Sequence, residues 1–548
     1  MTTATKLTSH LILEQLLLEG ASAVFHGPRC NPSPLVQLLN TSQVLKCARA
    51  LSERAASFMA IGHSQSTARP PVLVLSPGQG ALNALPAIYT AKQIQVPLIV
   101  LCEQQSTQIM NDDPVLALDN LALVSKLTKW SAEARSPVEV TRLIRRAFTE
   151  ALAPPKGPVM LSLPLDILYQ YAQGEVINPP HVSPLGAAAD NFLKKTAKSL
   201  VTAKNPCIIA GNEVNQFRAR KEVVVLAEVL GCPVYTEPMP TGVNFPNRHP
   251  QFGGVLHFGL STIKEKLKEH DLVLALGMQT RLSAEADKMS LFNPRAAIIQ
   301  VNVEPTLAGK SLPCIAAATA DIAETMTRLR AEIQLLADAK CLAVAKIRAQ
   351  ETIKQITEER MKLEEELVYP SHNDPISLFW LLRTLDGVRP TGSIIVNDIL
   401  SIHADPCSVM SLETSSSYVS SNACIDGYGL PAGLGVQLSL TAQELPVIVL
   451  TSDESIMQCS EALWSVAHYQ LPIKIVIVSA GGAALLIQPQ TPAQIGFPFN
   501  SPTIDFQKMG EAMGLKVFTA TIMEEMEEAI TRLFEEEGPC VLNVKVSG

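Results

Sequence analysis

The chain has no uninterrupted apolar run of the roughly 18 residues that a membrane-spanning helix needs, so we expect no membrane partner. Its first residues, MTTATKLTSH, do not place a basic region before an apolar one, and we expect no secretory signal peptide. An excess of positive charge is also missing. The formal net charge is −8, which argues against a nucleic-acid partner.

Cysteine pairs are absent as well. The 11 cysteines are odd in number and dispersed, and no two form a C-x-x-C pair, so their spacing indicates neither a disulfide framework nor a zinc site. Free thiols are typical of a reducing compartment, and we predict a cytoplasmic protein. A hydrophobic content of 47%, with scattered Gly and Pro, predicts a globular protein with a large core.

Short β-rich runs alternate with helical stretches in three blocks. The first block contains ASAVFHG, PPVLVLSPG and VPLIVLCEQ, the second contains NPCIIAGNEV, DLVLALG and AAIIQVNVE, and the third runs from PISLFWLLRTL to GPCVLNVKV. The charge-rich run over 321–368 predicts a solvated connecting helix. Strands joined by helix-length connections predict the α/β class, with parallel sheets flanked by helices. We predict three domains, at 1–180, 190–340 and 341–548, the last beginning with a helical connector.

Three stretches are candidates for a site, and two of them combine a strand, a turn and a helix start, where α/β proteins bind ligands. In RALSERAASFMAIGHSQST, Glu53 lies on a helix with a small-residue face, and is either a helix-end charge or a buried acid with a raised pKa. In LSPGQGALNAL, the glycine turn exposes amides that can face an anion. In LTSDESIMQ, Asp453 and Ser455 follow the strand PVIVL, which is typical of a phosphate-and-metal site.

These stretches together resemble the thiamine-diphosphate (ThDP) enzymes, specifically the benzoylformate decarboxylase and acetolactate synthase group. The resemblance covers essentially the whole chain and rests on FHGPRCNPSPL, LSERAASFMAIGHSQ, LSPGQGALNAL, DGYGLPAGLGVQL and SEALWSVAHYQLPIKIVIV. It implies pyrimidine-binding, middle and diphosphate-binding domains in that order. It also implies an enzyme whose active sites lie between the subunits of a homodimer or homotetramer. Its cofactors would be ThDP and Mg²⁺, with Glu53 protonating the aminopyrimidine ring to support 2-oxo acid decarboxylation.

The resemblance also implies which residues surround the cofactor. Asp453 falls on a Mg²⁺ ligand. Further cofactor contacts fall on Ser455, Ser401, Cys424 and the carbonyl group of Gly482.

Four departures from the family pattern predict weak binding of ThDP and Mg²⁺. The motif's second Asn falls on Ala480, whose methyl group cannot ligate a cation that takes about six oxygens. Glu454 replaces a turn glycine and adds negative charge near the diphosphate position. Asp426 replaces a bulky apolar residue that supports the bent cofactor, and Leu400 takes a position that is often polar.

The histidines that transfer protons in benzoylformate decarboxylase fall on Ser76 and Ala284, and its active-site serine falls on Cys30. Three functions therefore stay open. The first is an enzyme that acts on a small carbonyl or carboxylate metabolite with ordinary ThDP chemistry lost or altered. It would use Glu53 as acid or base, Asp426 as a new polar group, and Cys30 as a nucleophile unless that residue is only a small filler in a turn. The second is a ThDP-dependent 2-oxo acid decarboxylase or carboligase, and the third is a non-catalytic binding or assembly protein. FAD is not supported, because IIAGNEV lacks the G-x-G-x-x-G fingerprint.

Overall fold

The structure, a computed structural model, divides the chain into two units. The first unit spans Met1–Val182, Val388–Leu400 and Ala423–Gly548, and the second spans Ser183–Gly387 and Ser401–Asn422. The domain boundaries predicted above stay predictions. The residues that the structure describes are 5–28, 33–42, 44–173, 175–257, 260–279, 292–293, 295–310, 312–366, 369–399, 405–440, 445–480 and 502–546.

The N-terminal part of the first unit is a parallel sheet with the strand order β3-β2-β4-β5-β7-β6, accompanied by a small antiparallel β1-β8 pair. Its interior strands are continuous apolar runs because both faces are covered by helices. The elements are β1 Thr5–Leu7, α1 Thr8–Leu18, β2 Val24–His26, α2 Pro34–Thr41, β3 Cys47–Arg49, α3 Glu53–Thr67, β4 Val72–Leu75, α4 Gln79–Gln93, β5 Leu98–Gln104, α5 Asn120–Val124, β6 Trp130–Glu133, α6 Val140–Leu152, β7 Pro158–Pro164, α7 Leu165–Leu168 and β8 Tyr171–Gln173.

The second unit contains another parallel sheet, with the order β11-β10-β9-β12-β13-β14. The charge-rich run near its end forms two successive helices, α12 and α13. The elements are α8 Asp190–Thr202, β9 Pro206–Ala210, α9 Asn212–Gln216, α10 Arg220–Leu230, β10 Val234–Thr236, β11 Phe252–Val255, α11 Leu260–Leu267, β12 Leu272–Leu276, β13 Ala297–Asn302, β14 Ala316–Thr319, α12 Ile322–Leu336 and α13 Ala339–Glu366.

A third parallel sheet forms the C-terminal part of the first unit, where its strands follow the order β15-β17-β18-β20-β19. Three helix-flanked parallel sheets confirm the predicted α/β fold class. The remaining elements, of which α14 apart from its last residue, α15 and β16 fall in the second unit, are α14 Leu378–Val388, β15 Ile394–Asp398, α15 Pro406–Val409, β16 Tyr418–Ser420, α16 Gly429–Ser439, β17 Val447–Ser452, α17 Asp453–Met457, α18 Ala462–Tyr469, β18 Ile473–Ser479, α19 Phe506–Ala512, β19 Lys516–Ala520, α20 Met523–Glu535 and β20 Cys540–Lys545.

Helices α3 and α16 join the N-terminal and C-terminal sheets of the first unit by direct backbone contact. A Cβ atom on Gly62 would overlap the carbonyl group of Ala432, and a Cβ atom on Gly435 would overlap the carbonyl group of Met59. Glycine is required at both positions because the two helix backbones leave no room for a methyl group.

We expect Gly435→Ala to lower the free energy of unfolding by about 1–3 kcal/mol, the usual cost of overpacking a rigid core. The matched control is Gly387→Ala. Gly387 is also helical, but an added Cβ atom there meets nothing within 4 Å. In the Gly387→Ala control, the free energy of unfolding should rise by about 0.5–1 kcal/mol, because Ala has a higher helix propensity than Gly. Urea unfolding of both variants measures the difference, and equal effects would show that the α3–α16 contact tolerates a methyl group.

Candidate functional site

A cavity of about 650 Å³ lies at the carboxyl ends of the C-terminal parallel strands, where open α/β sheets bind ligands. The start of α17, the end of β18 and the end of β20 supply much of its wall. The lining residues that carry polar or acidic groups are Asp426, Asp453, Glu454, Gln458, Ser479, Thr503, Thr519, Thr521, Asn543 and Lys545, with Ala480 among the apolar ones.

The cavity has acidic walls. Asp426, Asp453 and Glu454 all line it, and Lys545 is the only Lys or Arg among the described lining residues. Partial burial raises the pKa of Glu454, and the negative charges of Asp453 and Asp426 raise it further. The negative charges of both aspartates therefore reach the Glu454 carboxyl group, and this concentration of acids favours neutral or positively charged ligand groups beside them.

Local hydrogen bonds hold the turn that carries Asp453. Ser452 is extended and caps α17, its hydroxyl accepting from the Ser455 amide at 3.0 Å. The Asp453 carboxylate accepts from the Glu454 amide at 3.0 Å. Ser455 is buried behind the cavity wall, where its hydroxyl accepts from the Gly427 amide at 2.7 Å. Asp453 thus lines the cavity, whereas Ser455 supports the turn.

Asp398 is a residue of this region that sequence reasoning missed. It ends β15, and its carboxyl group accepts hydrogen bonds from the Gly429 amide at 2.9 Å and from the Ser455 hydroxyl. Burial raises the pKa of Asp398 to about 7 against the effect of these hydrogen bonds, and Asp426 contributes a smaller rise. The sequence did offer a signal for Asp398. It is an acid at the end of the apolar run IIVND, beside the topological switch point of the sheet.

Glu53 is the first residue of α3 and is only 3% exposed. Its Oε1 accepts from the Ser76 hydroxyl at 3.1 Å, and its Oε2 accepts from the Asn83 side-chain amide at 3.2 Å. Glu53 is thus both a helix-end residue and a buried one. Two neutral hydrogen-bond donors fix the position of its carboxyl group.

The residues on either side of Glu53 contact the C-terminal sheet of the same unit. Arg54 donates to the main-chain oxygen of Asp426 at 2.5 Å, and the Ser52 hydroxyl bonds to Glu461. Glu53 itself is not among the described residues that line the 650 Å³ cavity. The predicted site shared between two subunits involves a second chain and stays a prediction.

Three predicted site residues, Cys30, Ser401 and Gly482, lie outside the described residues. Cys424 is described and has left-handed backbone geometry with a φ of 53°, just before the turn that leads into α16. Partial burial and the charge of Asp426 raise the pKa of its thiol, so it is held as a thiol rather than as an anionic ligand.

The switch point of the middle sheet is filled by side chains. Glu213 is fully buried and accepts from the main-chain amides of Val303 at 2.7 Å and Glu304 at 3.1 Å. Glu237 is equally buried and accepts from the Gln279 amide at 3.0 Å. Amides near such switch points bind dinucleotide phosphates in related folds, and here carboxylates already bond to them.

Family models identify the same three-part organisation. The N-terminal TPP binding domain of thiamine pyrophosphate enzymes matches residues 7–123, the central domain matches 193–329 and the C-terminal TPP binding domain matches 406–544.

Within the described residues, no helix has the length and apolarity needed to cross a bilayer.

Curated proteins and solved structures are similar over nearly the whole chain. Benzoylformate decarboxylase from Pseudomonas aeruginosa is 27% identical and covers 97% of both chains. The acetolactate synthase large subunit from Buchnera aphidicola is 24% identical, covering 95% of this chain and 91% of its own. The 4-hydroxybenzoylformate decarboxylase structure from Rhodococcus jostii is 26% identical, with a TM-score of 0.82 over 99% of each chain.

We expect Asp398→Asn to change how stability depends on pH. The raised pKa means that the folded state binds a proton that the unfolded state releases, so Asp398 favours folding below about pH 4 and loses that contribution as the pH rises through about 7. Relative to the variant, the free energy of unfolding of the wild type should fall by up to about 1.4 kcal/mol for each pH unit between about pH 4 and pH 7. Urea unfolding at several pH values tests this, with the exposed acid substitution Asp190→Asn as the control. Parallel curves for wild type and Asp398→Asn would refute the assignment.

Proposed function

Because the chain belongs to the thiamine pyrophosphate enzymes, we propose that it acts on a small carbonyl or carboxylate metabolite as a carbon–carbon lyase or carboligase. We propose further that ordinary binding of ThDP and Mg²⁺ is weakened or lost. The similarity to benzoylformate decarboxylase and acetolactate synthase supports the reaction class. The acidic cavity at the carboxyl ends of β17 and β18 is the observation that carries the cofactor proposal.

The residues at this cavity do not suit a diphosphate held by Mg²⁺. A diphosphate is a polyanion, and Asp426 and Glu454 would add negative charge beside it, with Lys545 as the only lining Lys or Arg among the described residues. Asp453 is the carboxylate that the family resemblance assigns to Mg²⁺. Ala480 offers no oxygen from its side chain where the family motif has an amide. No catalytic step is therefore assigned through this cofactor.

Glu53 is the residue that we propose as the functional acid or base. Its buried carboxyl group is positioned at the start of α3 by hydrogen bonds from Ser76 and Asn83. A fixed carboxyl group can hold or return a proton at a substrate oxygen or carbon, provided that the substrate comes within hydrogen-bond distance. The inter-subunit cleft, a homodimer or homotetramer, and a cytoplasmic location stay part of the proposal. Cys30 remains a proposed nucleophile.

We expect wild-type protein to bind ThDP only weakly in calorimetry with Mg²⁺ supplied. Each lost charged or ligand interaction costs about 1.5–3 kcal/mol, or roughly 10- to 150-fold in affinity. The double variant Glu454→Gly with Ala480→Asn restores the family residues and should tighten binding by at least about tenfold. Glu454→Gln is the control that separates charge from side-chain size. Micromolar affinity in the wild type would contradict this proposal and favour the ThDP-dependent 2-oxo acid decarboxylase or carboligase.

We expect Glu53→Gln to reduce turnover by roughly 10²- to 10⁴-fold, the usual contribution of general acid–base catalysis. Stability should change little, because a glutamine can accept from Asn83 and donate to the Ser76 hydroxyl. Turnover of benzoylformate and pyruvate by wild type, Glu53→Gln and the half-buried control Glu150→Gln gives the comparison. Full activity of Glu53→Gln would remove the catalytic role. If the wild type turned over neither compound while binding other ligands, a non-catalytic protein would be the better description.

A further inference from the structure

A second buried acid lies at the carboxyl edge of the N-terminal sheet. Glu103 is the penultimate residue of β5, an interior strand between β4 and β7, and is only 3% exposed. Side chains alternate along a strand, so Glu103 shares a face with Ile99 and Leu101. Both of those residues belong to the apolar core of this sheet. An acid at such a position is costly to bury, and packing alone gives no reason for it.

The hydrogen bonding of Glu103 is incomplete. The Ser33 side chain, which also caps α2, is a hydrogen-bond partner of its carboxyl group. Its Oε1 is fully buried and has no hydrogen-bond partner among the described residues. Buried carboxyl oxygens are normally satisfied, so this oxygen calls for a partner such as a water molecule, an ion or a ligand group.

Burial raises the pKa of Glu103 to about 7, partly offset by the Ser33 hydrogen bond. The charges of Glu103 and of Glu133 both raise the pKa of the thiol of Cys102, which precedes Glu103 on its own strand. Glu53 is the other acid in this region and bonds to Ser76, which follows the adjacent strand β4. Among the described residues, no Lys, Arg or His contributes to the shift. Near neutral pH a substantial fraction of the Glu103 carboxyl groups is therefore protonated and can donate a hydrogen bond.

Glu103 and Glu53 lie at the same edge of the sheet. Strands β4 and β5 are adjacent, and Leu75 pairs with Cys102 in their register. The next residues along these strands are Ser76 and Glu103, and Ser76 donates to the Glu53 carboxyl group. Two buried acids thus flank one serine at the carboxyl ends of neighbouring parallel strands, where α/β sheets bind ligands.

We propose that Glu103 is a specificity-determining residue that donates a hydrogen bond from its neutral carboxyl group to a carboxylate or carbonyl oxygen of a 2-oxo acid substrate. This inference rests on the proposed function, and it adds a substrate-binding group to the proton-transferring role of Glu53. A neutral acid suits an anionic substrate because it donates a hydrogen bond without adding like charge.

The test is the pH dependence of ligand affinity, measured by calorimetry with benzoylformate and with pyruvate. If only the protonated form of Glu103 binds, affinity should fall about tenfold between about pH 6 and pH 8. Glu103→Gln keeps an N–H donor but cannot titrate, so its affinity should be independent of pH in this range. Glu103→Met is similar in volume and suits the apolar face, so it should fold with undiminished stability but bind at least about tenfold more weakly. Glu150→Gln controls for the loss of one negative charge.

The outcomes separate this inference from the proposed function. If both Glu103 variants kept the affinity and the pH dependence of the wild type, the role of Glu103 would be overturned. The proposed function would stand. A change in stability without a change in affinity would show that Glu103 is only structural, and would also overturn it. Failure of the wild type to bind either compound at millimolar concentration would reject the proposed function, and the role of Glu103 would fall with it.

Discussion

The contact between α3 and α16 is the constraint on which the first unit depends. Two glycines, Gly62 and Gly435, let the helix backbones touch, and each sits against a carbonyl group of the other helix. Glu53 begins α3, and the turn at Asp426 precedes α16, so this contact also fixes the relation between them. Arg54 then bonds directly to the Asp426 main chain. Interhelical packing at this distance is rigid, because no side chain separates the two helices to absorb a shift.

Buried acids recur at the carboxyl ends of strands in all three sheets, but they are not equivalent. Glu213 and Glu237 accept several main-chain hydrogen bonds, which offset the cost of burying their charge. Asp398 has two donors and still has a raised pKa because burial outweighs them. Glu103 has an oxygen with no partner. The number of hydrogen bonds that each carboxyl group accepts therefore distinguishes the acids that stabilise the fold from an acid with an oxygen left for a further partner.

The C-terminal cavity has a concentration of acidic side chains. Asp426, Asp453 and Glu454 share one concave surface, and the negative charges of the two aspartates raise the pKa of Glu454. A polyanion would add to this repulsion, whereas a neutral or cationic group would relieve it. The fold of a thiamine pyrophosphate enzyme is compatible with more than one site chemistry, because function depends on the groups at the site and not on the scaffold alone.

The sequence by itself determined the α/β class, the three blocks of strands and the strand-end position of Asp453, because these follow from apolar periodicity and from turns adjoining strands. It also identified Glu53 as a residue of interest, but not its burial or its bonds to Ser76 and Asn83. Asp398 and Glu103 escaped notice because an acid after an apolar run looks like the start of any loop. Their burial depends on α16 and α2, which fold over the strand ends from distant parts of the chain. Likewise, Gly62 and Gly435 are ordinary helix residues until the tertiary structure brings two backbones into contact. Residue types and local patterns can be read from the sequence, whereas the burial of a side chain and its distance from other groups depend on how the chain packs.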